Sequence, residues 1–380
     1  FMKIGIDFTP TIYDRGVSRY TKNLIRSLME QPGADLALYG SSFRQNEILK
    51  NKAQEILSMA KPVGEYVLKV QNYPPTLLSI LWKLGLNPIK KILPDIDVFH
   101  SWDWLQPPDK DLPLVSTIHD LAILKYPETA HPKILAAHQQ SWKVLRERDA
   151  EIITVSQATK RDIIEFLGIP AYRITVIPEA LPYEIRLINE RLTEEQSEQI
   201  KQRLVLTRPY ILFVGTREPR KNLKRLIEAW EGIKDEVDLL IAGETGWDES
   251  GNYQIPGLRF LGKVTDIELN VLYAEAEAFA YPSLDEGFGL PILEAFYHGT
   301  PVITADLPVM LEVAGNAAQL VDPENVQSIR QGIEIVLNEN TEEQRTRLQR
   351  MIIRMHMFSW HLVAEQTLEV YAKAIERYGK

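Results

Sequence analysis

Short apolar strands alternate with amphipathic helices along this chain, and the alternation runs twice, on either side of a charged helical stretch. The first run opens with "KIGIDF". Then comes "GVSRYTKNLIRSLME", in which Val17, Tyr20, Leu24, Ile25 and Leu28 recur at helical spacing. The strands "DLALYG", "DVFHS", "LVSTIHD" and "EIITVS" follow, then a helix over 157–168 that Gly168 stops, then the strand "RITVIPEAL". Beyond the charged stretch the rhythm restarts with "YILFVG", "NLKRLIEAW", "VDLLIAG", "LRFLG", "IELNVLYAEA" and "AFAYPS". Short buried strands joined by helices imply parallel sheets covered on both faces. A chain of 380 residues also exceeds what one hydrophobic core usually supports. The expected fold is therefore α/β, with two Rossmann-like doubly wound domains over 1–183 and 209–358 and a linker over 184–208. Such sheets take ligands at the carboxyl ends of their strands, so the two are expected to face a cleft.

Composition removes several classes of function. The chain has no cysteine, which excludes disulfides, thiolate metal sites and a cysteine nucleophile, and suits a reducing compartment. No cleavable leader precedes the first strand and no window holds 18 uncharged apolar residues, so a cytoplasmic protein is expected. The net charge of −9 is uneven: residues 1–93 carry 13 Lys and Arg against 7 Asp and Glu, a net of +6, which leaves −15 for the remainder. An acidic whole speaks against a nucleic-acid partner. A basic segment within it suits a phosphorylated acceptor or an anionic membrane surface. Residues 61–93 mix aliphatics, Trp82, tyrosines and lysines between prolines. They read as an amphipathic insertion, either in peripheral contact with the inner membrane face or packed as a helical hairpin on their own domain.

The stretch "PSLDEGFGLPILEAFYHGTPVITAD" raises the chemical question. "AFAYPS" is a buried strand, "LDEGFGL" a turn, and "PILEAFYHG" a short helix with Pro291 at its first position and Gly299 at its end. Glu286 thus falls in the loop and Glu294 in the first turns of the helix. Gly287 and Gly289 let backbone approach a ligand, and the amides around Leu290 form an anion site suited to a diphosphate. Carboxylates accept from paired hydroxyls, so two of them astride such a site suggest a sugar and a ribose. The plainer reading is a helix N-terminus that favours acidic residues.

A second constellation lies in "YILFVGTREPRKNLKRLIEAW". Arg217, Arg220 and Lys221 gather at the end of an apolar strand, and Asn222 is expected to cap the next helix. Three cations there repel one another unless they are solvated or matched by an anion such as pyrophosphate. In the first half, "TIHDLAILKYPE" sets His119 directly after a strand, where the imidazole can donate to a sugar hydroxyl or stay neutral as an acceptor. "YDRGVSRY" opens a helix with Gly16, whose amide could meet phosphate, although one glycine falls far short of a G-x-G-x-x-G fingerprint.

With these motifs in place, the chain resembles the retaining glycosyltransferases of the GT-B fold, family 4, in its mannosyltransferase-like group. The resemblance covers nearly the whole chain. It is carried by "GVSRYTKNLIRSL", "STIHDLAILKYPE", "ITVSQATKRDI", "FVGTREPRKNLKRLIEAW", "LGKVTD", "YPSLDEGFGLPILEA" and "FSWHLVAEQTLEVY". It implies transfer of a hexose, with mannose from GDP-mannose as the first expectation and UDP-glucose or dTDP-rhamnose as other donors. The acceptor is a glycan or a lipid-linked glycan, as in polysaccharide or glycolipid synthesis. A non-catalytic GT-B partner protein is the other reading. The resemblance further implies that Glu294 binds ribose and Lys221 the diphosphate, with Glu286 and the backbone of Gly287, Phe288, Gly289 and Leu290 on the donor sugar. His119 would meet the sugar and Gly16 the phosphates from the first domain, while Lys263 and Val264 line the base. It implies no metal and no cofactor beyond the nucleotide sugar, and a last helix, 359–380, that returns to the first domain.

The chain departs from the family at two points. Thr216 stands where many members carry arginine, leaving Arg217 or Arg220 to supply that charge. Glu179 stands where relatives often carry asparagine, and no function attaches to it at this level.

Overall fold

A computed structural model describes residues 1–13, 16–246 and 254–378. The chain divides into two compact units, one of Phe1–Ala180 with Ser359–Lys380 and the other of Leu181–Phe358.

The first unit is built on a seven-stranded, wholly parallel sheet. Its strands are β1 (Met2–Asp7), β2 (Ala34–Ser41), β3 (Tyr66–Gln71), β4 (Val98–Trp102), β5 (Leu114–Ile118), β6 (Glu151–Thr154) and β7 (Ile174–Val176). Their order across the sheet is β3-β2-β1-β4-β5-β6-β7, so the winding reverses between β1 and β4. Strands β4, β5 and β6 are buried at every residue, as a parallel sheet covered on both faces requires. The Gly16–Met29 helix buries Tyr20, Leu24, Ile25 and Leu28, the stripe its spacing predicts.

Residues 61–93 are not a helical hairpin. They contribute the edge strand β3, the Pro75–Lys83 helix and a single turn at Ile89–Ile92. Strand β3 is largely exposed and carries Lys69, and such a charge discourages pairing with another sheet. Trp82 and Leu78 are buried in the unit's core, whereas Val67, Ile80, Leu84 and Leu86 face solvent.

The Trp360–Tyr378 helix belongs to this unit and packs on β4, β5 and β6. Val363, Ala364, Thr367, Val370, Tyr371 and Ala374 are buried along one face of it, whereas Gln366 is exposed. Tyr371 Oη lies 2.6 Å from Nδ1 of His100, and Lys373 Nζ 2.8 Å from the buried carboxylate of Glu151.

The second unit holds six parallel strands: β8 (Tyr210–Val214), β9 (Asp238–Ala242), β10 (Leu258–Gly262), β11 (Ala278–Tyr281), β12 (Val302–Ala305) and β13 (Gln319–Val321). Their order is β10-β9-β8-β11-β12-β13, with the reversal between β8 and β11. The stretch expected as a linker is instead part of this unit. It forms the helices Tyr183–Arg191 and Glu194–Arg203, which pack on the Asp266–Glu275 helix and bury Ile185 and Ile200. A charged helix needs only one apolar residue per few turns to dock, so its composition resembles that of a free linker.

Candidate functional site

In doubly wound sheets the loops leaving the carboxyl ends of the two strands at the reversal splay apart and leave a crevice. In the second unit those strands are β8 and β11. They are followed by the two segments that concentrate charge and glycine, 215–222 and 282–290.

Backbone geometry fixes both segments. A side chain on Gly243, at the end of β9, would put its Cβ 2.1 Å from the carbonyl oxygen of Gly215, so the turns after β8 and β9 press main chain on main chain. Arg217 N then donates to Glu244 O at 3.1 Å, and Leu284 N donates to Arg220 O at 2.7 Å, which ties the β8 loop to the β11 loop. Asn222 does not cap with its side chain. It adopts a left-handed φ of 61° and donates through Nδ2 to the carbonyls of Pro282 (2.9 Å) and Pro323 (2.6 Å). The Asn222 amide thus satisfies two backbone carbonyls of neighbouring loops and ties them to the β8 turn.

This stitching brings Arg220, Lys221 and Glu286 together. Lys221 Nζ sits 2.6 Å from Glu286 Oε1 and 3.0 Å from the Tyr281 hydroxyl. Arg220 Nη1 reaches Glu286 Oε2 at 2.8 Å, and its Nε reaches Glu218 Oε2 at 2.8 Å. The anion that the clustered cations need is therefore supplied from within the chain, by Glu286 and Glu218. Burial pushes the Glu286 carboxyl up, but Lys221 and Arg220 outweigh it and hold the group at about 2, well below its ordinary 4.5. Burial also pulls Lys221 below the ordinary lysine value, with Arg220 adding to the effect and Glu286 offsetting part of it.

The other expected residues of this unit have surroundings of their own. Arg217 is not part of that cluster; its guanidinium sits 4.8 Å from the ring centre of Phe260 on β10. Lys263 and Val264 occupy the short connection from β10 to the Asp266–Glu275 helix. Gly289, at φ 100°, turns the chain into the Leu290–Tyr297 helix, where Pro291 is the second residue rather than the first. Gly287 is buried, and Phe288 is buried edge-on against Phe358 at 5.7 Å, so only backbone from this turn can meet a ligand through Phe288. Glu294 is 4% exposed and accepts from the Tyr273 hydroxyl at 3.1 Å. Glu218, Tyr281 and Tyr273 went unread in the sequence. Glu218 had a signal, since it is the one carboxylate in the basic run "TREPRKN".

In the first unit, Gly16 begins its helix with open space around its α-carbon, and a Cβ there would meet nothing within 4 Å. His119 follows β5 directly. Its ring packs edge-on to Tyr20 at 4.6 Å and parallel to Trp102 at 6.2 Å. Nδ1 lies 3.3 Å from Oε1 of Glu179, the residue to which the sequence attached no role. Nε2 is buried with no hydrogen-bond partner among the described residues. Burial disfavours the imidazolium, but Glu179 first, then Asp103 and Asp120, overcome it and raise the pKa above its ordinary 6.5. His100, on β4, is the opposite case. Buried beside Tyr371 and Thr117, it is driven down to about 3 and stays neutral.

Among the described residues no group of three or more His, Asp or Glu is arranged to hold a metal ion. No helix among them is long and apolar enough to cross a membrane.

Comparison with known proteins agrees with this architecture. Residues 15–185 match the model of Glycosyltransferase Family 4, and residues 194–353 that of Glycosyl transferases group 1. The O-antigen chain mannosyltransferase B of Escherichia coli is 31% identical over 97% of this chain and 99% of its own length. The MMP alpha-(1->4)-mannosyltransferase of Mycolicibacterium hassiacum is 26% identical over 74% of this chain and 72% of its own. Among solved structures, Anabaena HepE in complex with UDP-glucose superposes with a TM-score of 0.70 at 18% identity, covering 98% of this chain and all of that one. Two parallel Rossmann-like sheets, charged loops at the β8–β11 reversal and a full-length relative lead to one placement. The chain belongs to the family 4 glycosyltransferases of the GT-B fold.

Proposed function

We propose that this glycosyltransferase moves mannose from GDP-mannose to a glycan or lipid-linked acceptor in polysaccharide or glycolipid synthesis, with retention at the anomeric carbon and without a metal. The observation that carries the reading is the Arg220–Lys221–Glu286 cluster at the reversal between β8 and β11. A departing nucleoside diphosphate needs positive charge fixed in place before the bond breaks, and a buried, preorganised ammonium and guanidinium supply it without solvent rearrangement. In this reading Lys221 and Arg220 take the diphosphate, Glu294 the ribose, and Lys263 with Val264 the base. Glu286 and the amides of Gly287–Leu290 hold the sugar, with His119 and Gly16 contributing from the first unit. The choice of mannose rests on the near full-length similarity to an O-antigen mannosyltransferase.

The exposed aliphatics Val67, Ile80, Leu84 and Leu86, beside Lys69 and Lys83, support peripheral contact with an anionic membrane. A panel of sugar nucleotides assayed for hydrolysis in the presence of EDTA tests donor and metal together. The expected result is preferential turnover of GDP-mannose that EDTA leaves intact; turnover confined to UDP- or dTDP-sugars, or lost with EDTA, overturns the corresponding part.

A further inference from the structure

We propose that Glu179 is a positioning residue that grips His119 through Nδ1 and leaves the Nε2 proton as a hydrogen-bond donor to a hydroxyl oxygen of the bound sugar. This rests on the reading that His119 meets the donor. Glu179 lies beyond β7 and His119 directly after β5, so the pair joins two loops at the same sheet edge. Both side chains are mostly buried, at 16% and 12% exposure, and their 3.3 Å separation places a carboxylate against one ring nitrogen only. A carboxylate at Nδ1 selects the Nδ1–H tautomer and favours the doubly protonated ring.

The second nitrogen is what makes the pair more than a structural ion pair. A buried polar atom left unmatched is costly, and a ligand hydroxyl that completes it removes that cost. Nε2 of His119 is such an atom. Among the described residues, the charged groups that act on the ring are carboxylates. Tyr20 faces it from the Gly16–Met29 helix, Trp102 and Asp103 from the end of β4, Asp120 from its own loop, and neutral His100 from within β4. Asp103 is itself 3.3 Å from His138 and Asp120 accepts from Ala122 N at 2.9 Å, which leaves Glu179 as the carboxylate committed to His119. The structural consequence is a ring whose orientation and charge are set in advance, with one donor free for substrate.

Glu179→Gln keeps the shape and removes the charge. Histidine-selective 15N NMR of the full chain, with the His119 signal assigned by its loss in His119→Asn, should show a titration midpoint above 6.5 in the parent. In Glu179→Gln it should fall, because the carboxylate that favours the charged ring is gone. In donor hydrolysis, kcat of Glu179→Gln should drop by about tenfold at neutral pH with a smaller change in KM, and its alkaline limb should move to lower pH. Glu179→Asp should recover part of both, and it also serves if the Gln variant does not fold. In the His119→Asn background, Glu179→Gln should cost nothing further in kcat. An unchanged His119 midpoint, or a full additional loss in the His119→Asn background, overturns the proposal. If the midpoint shifts as expected while neither His119→Asn nor Glu179→Gln affects turnover, it is the placement of His119 on the sugar that fails.

Discussion

The two charged sites of this protein, one in each unit, solve the burial of ions in opposite ways. Around Lys221 in the second unit every strong charge has an opposite charge within 3 Å, so the cluster is neutral and complete by itself. Around His119 in the first unit one nitrogen is anchored and the other has no partner among the described residues. The lesson concerns what a ligand must do at each. A diphosphate arriving at Lys221 and Arg220 competes with Glu286 and Glu218 for cations already engaged, whereas a sugar oxygen arriving at His119 completes a bond the protein lacks. In the proposed reading, binding at the first site exchanges ion pairs, whereas binding at the second adds a hydrogen bond.

The largest expected effect breaks the self-neutralised site. Lys221→Ala leaves the buried Glu286 carboxylate with Arg220 as its one remaining cation in the cluster, and removing one partner of a buried pair costs about 3–5 kcal/mol. Denaturant unfolding should show that loss, and a value under about 1 kcal/mol would mean the pair is solvated in the working protein.

Next comes turnover. Glu286→Ala is expected to lower kcat for donor hydrolysis by about a hundredfold or more if the carboxylate holds the reacting sugar. Glu294→Ala should instead weaken donor binding by about tenfold and spare kcat. Equal effects of both substitutions on kcat would erase the distinction drawn between sugar and ribose.

The smallest effect is a pH dependence. Glu286 is held at about 2 against 4.5 when free, so its contribution is present above pH 4.5 and is lost as pH falls toward 2. The unfolding free energy should therefore decline over that window, and the decline should shrink in Glu286→Gln. An identical acid limb in the two proteins would show that other carboxylates carry it.

Much of the fold was legible because its signal is local. Strands such as "LVSTI" and "EIIT" are short, rich in β-branched residues and buried at every position since both faces of a parallel sheet are covered, and their alternation with helices set the class. Strand β3 was hidden for the converse reason. At the sheet edge its side chains are mostly exposed, so "YVLKVQ" looks like an amphipathic insertion between prolines. In the site, the segments were legible but their pairing was not. Lys221 and Glu286 are 65 positions apart, and only the adjacency of β8 and β11 brings them together. Asn222 misled because a cap residue usually offers its side chain to its own helix, whereas here the amide serves two proline carbonyls elsewhere. Glu179 had no readable signal in "VIPEALP"; it acquires meaning only when β7 delivers it beside His119.

The central claim is that the Lys221–Arg220–Glu286 cluster receives a nucleoside diphosphate. Thermal unfolding with GDP, UDP and GDP-mannose tests it most directly, since a ligand at 100 times its dissociation constant adds about 2.7 kcal/mol to the folded state. The account predicts that GDP and GDP-mannose stabilise the parent protein and that Lys221→Ala, measured against its own baseline, loses the shift. No shift with any of the three in the parent, or an undiminished shift in Lys221→Ala, would contradict it.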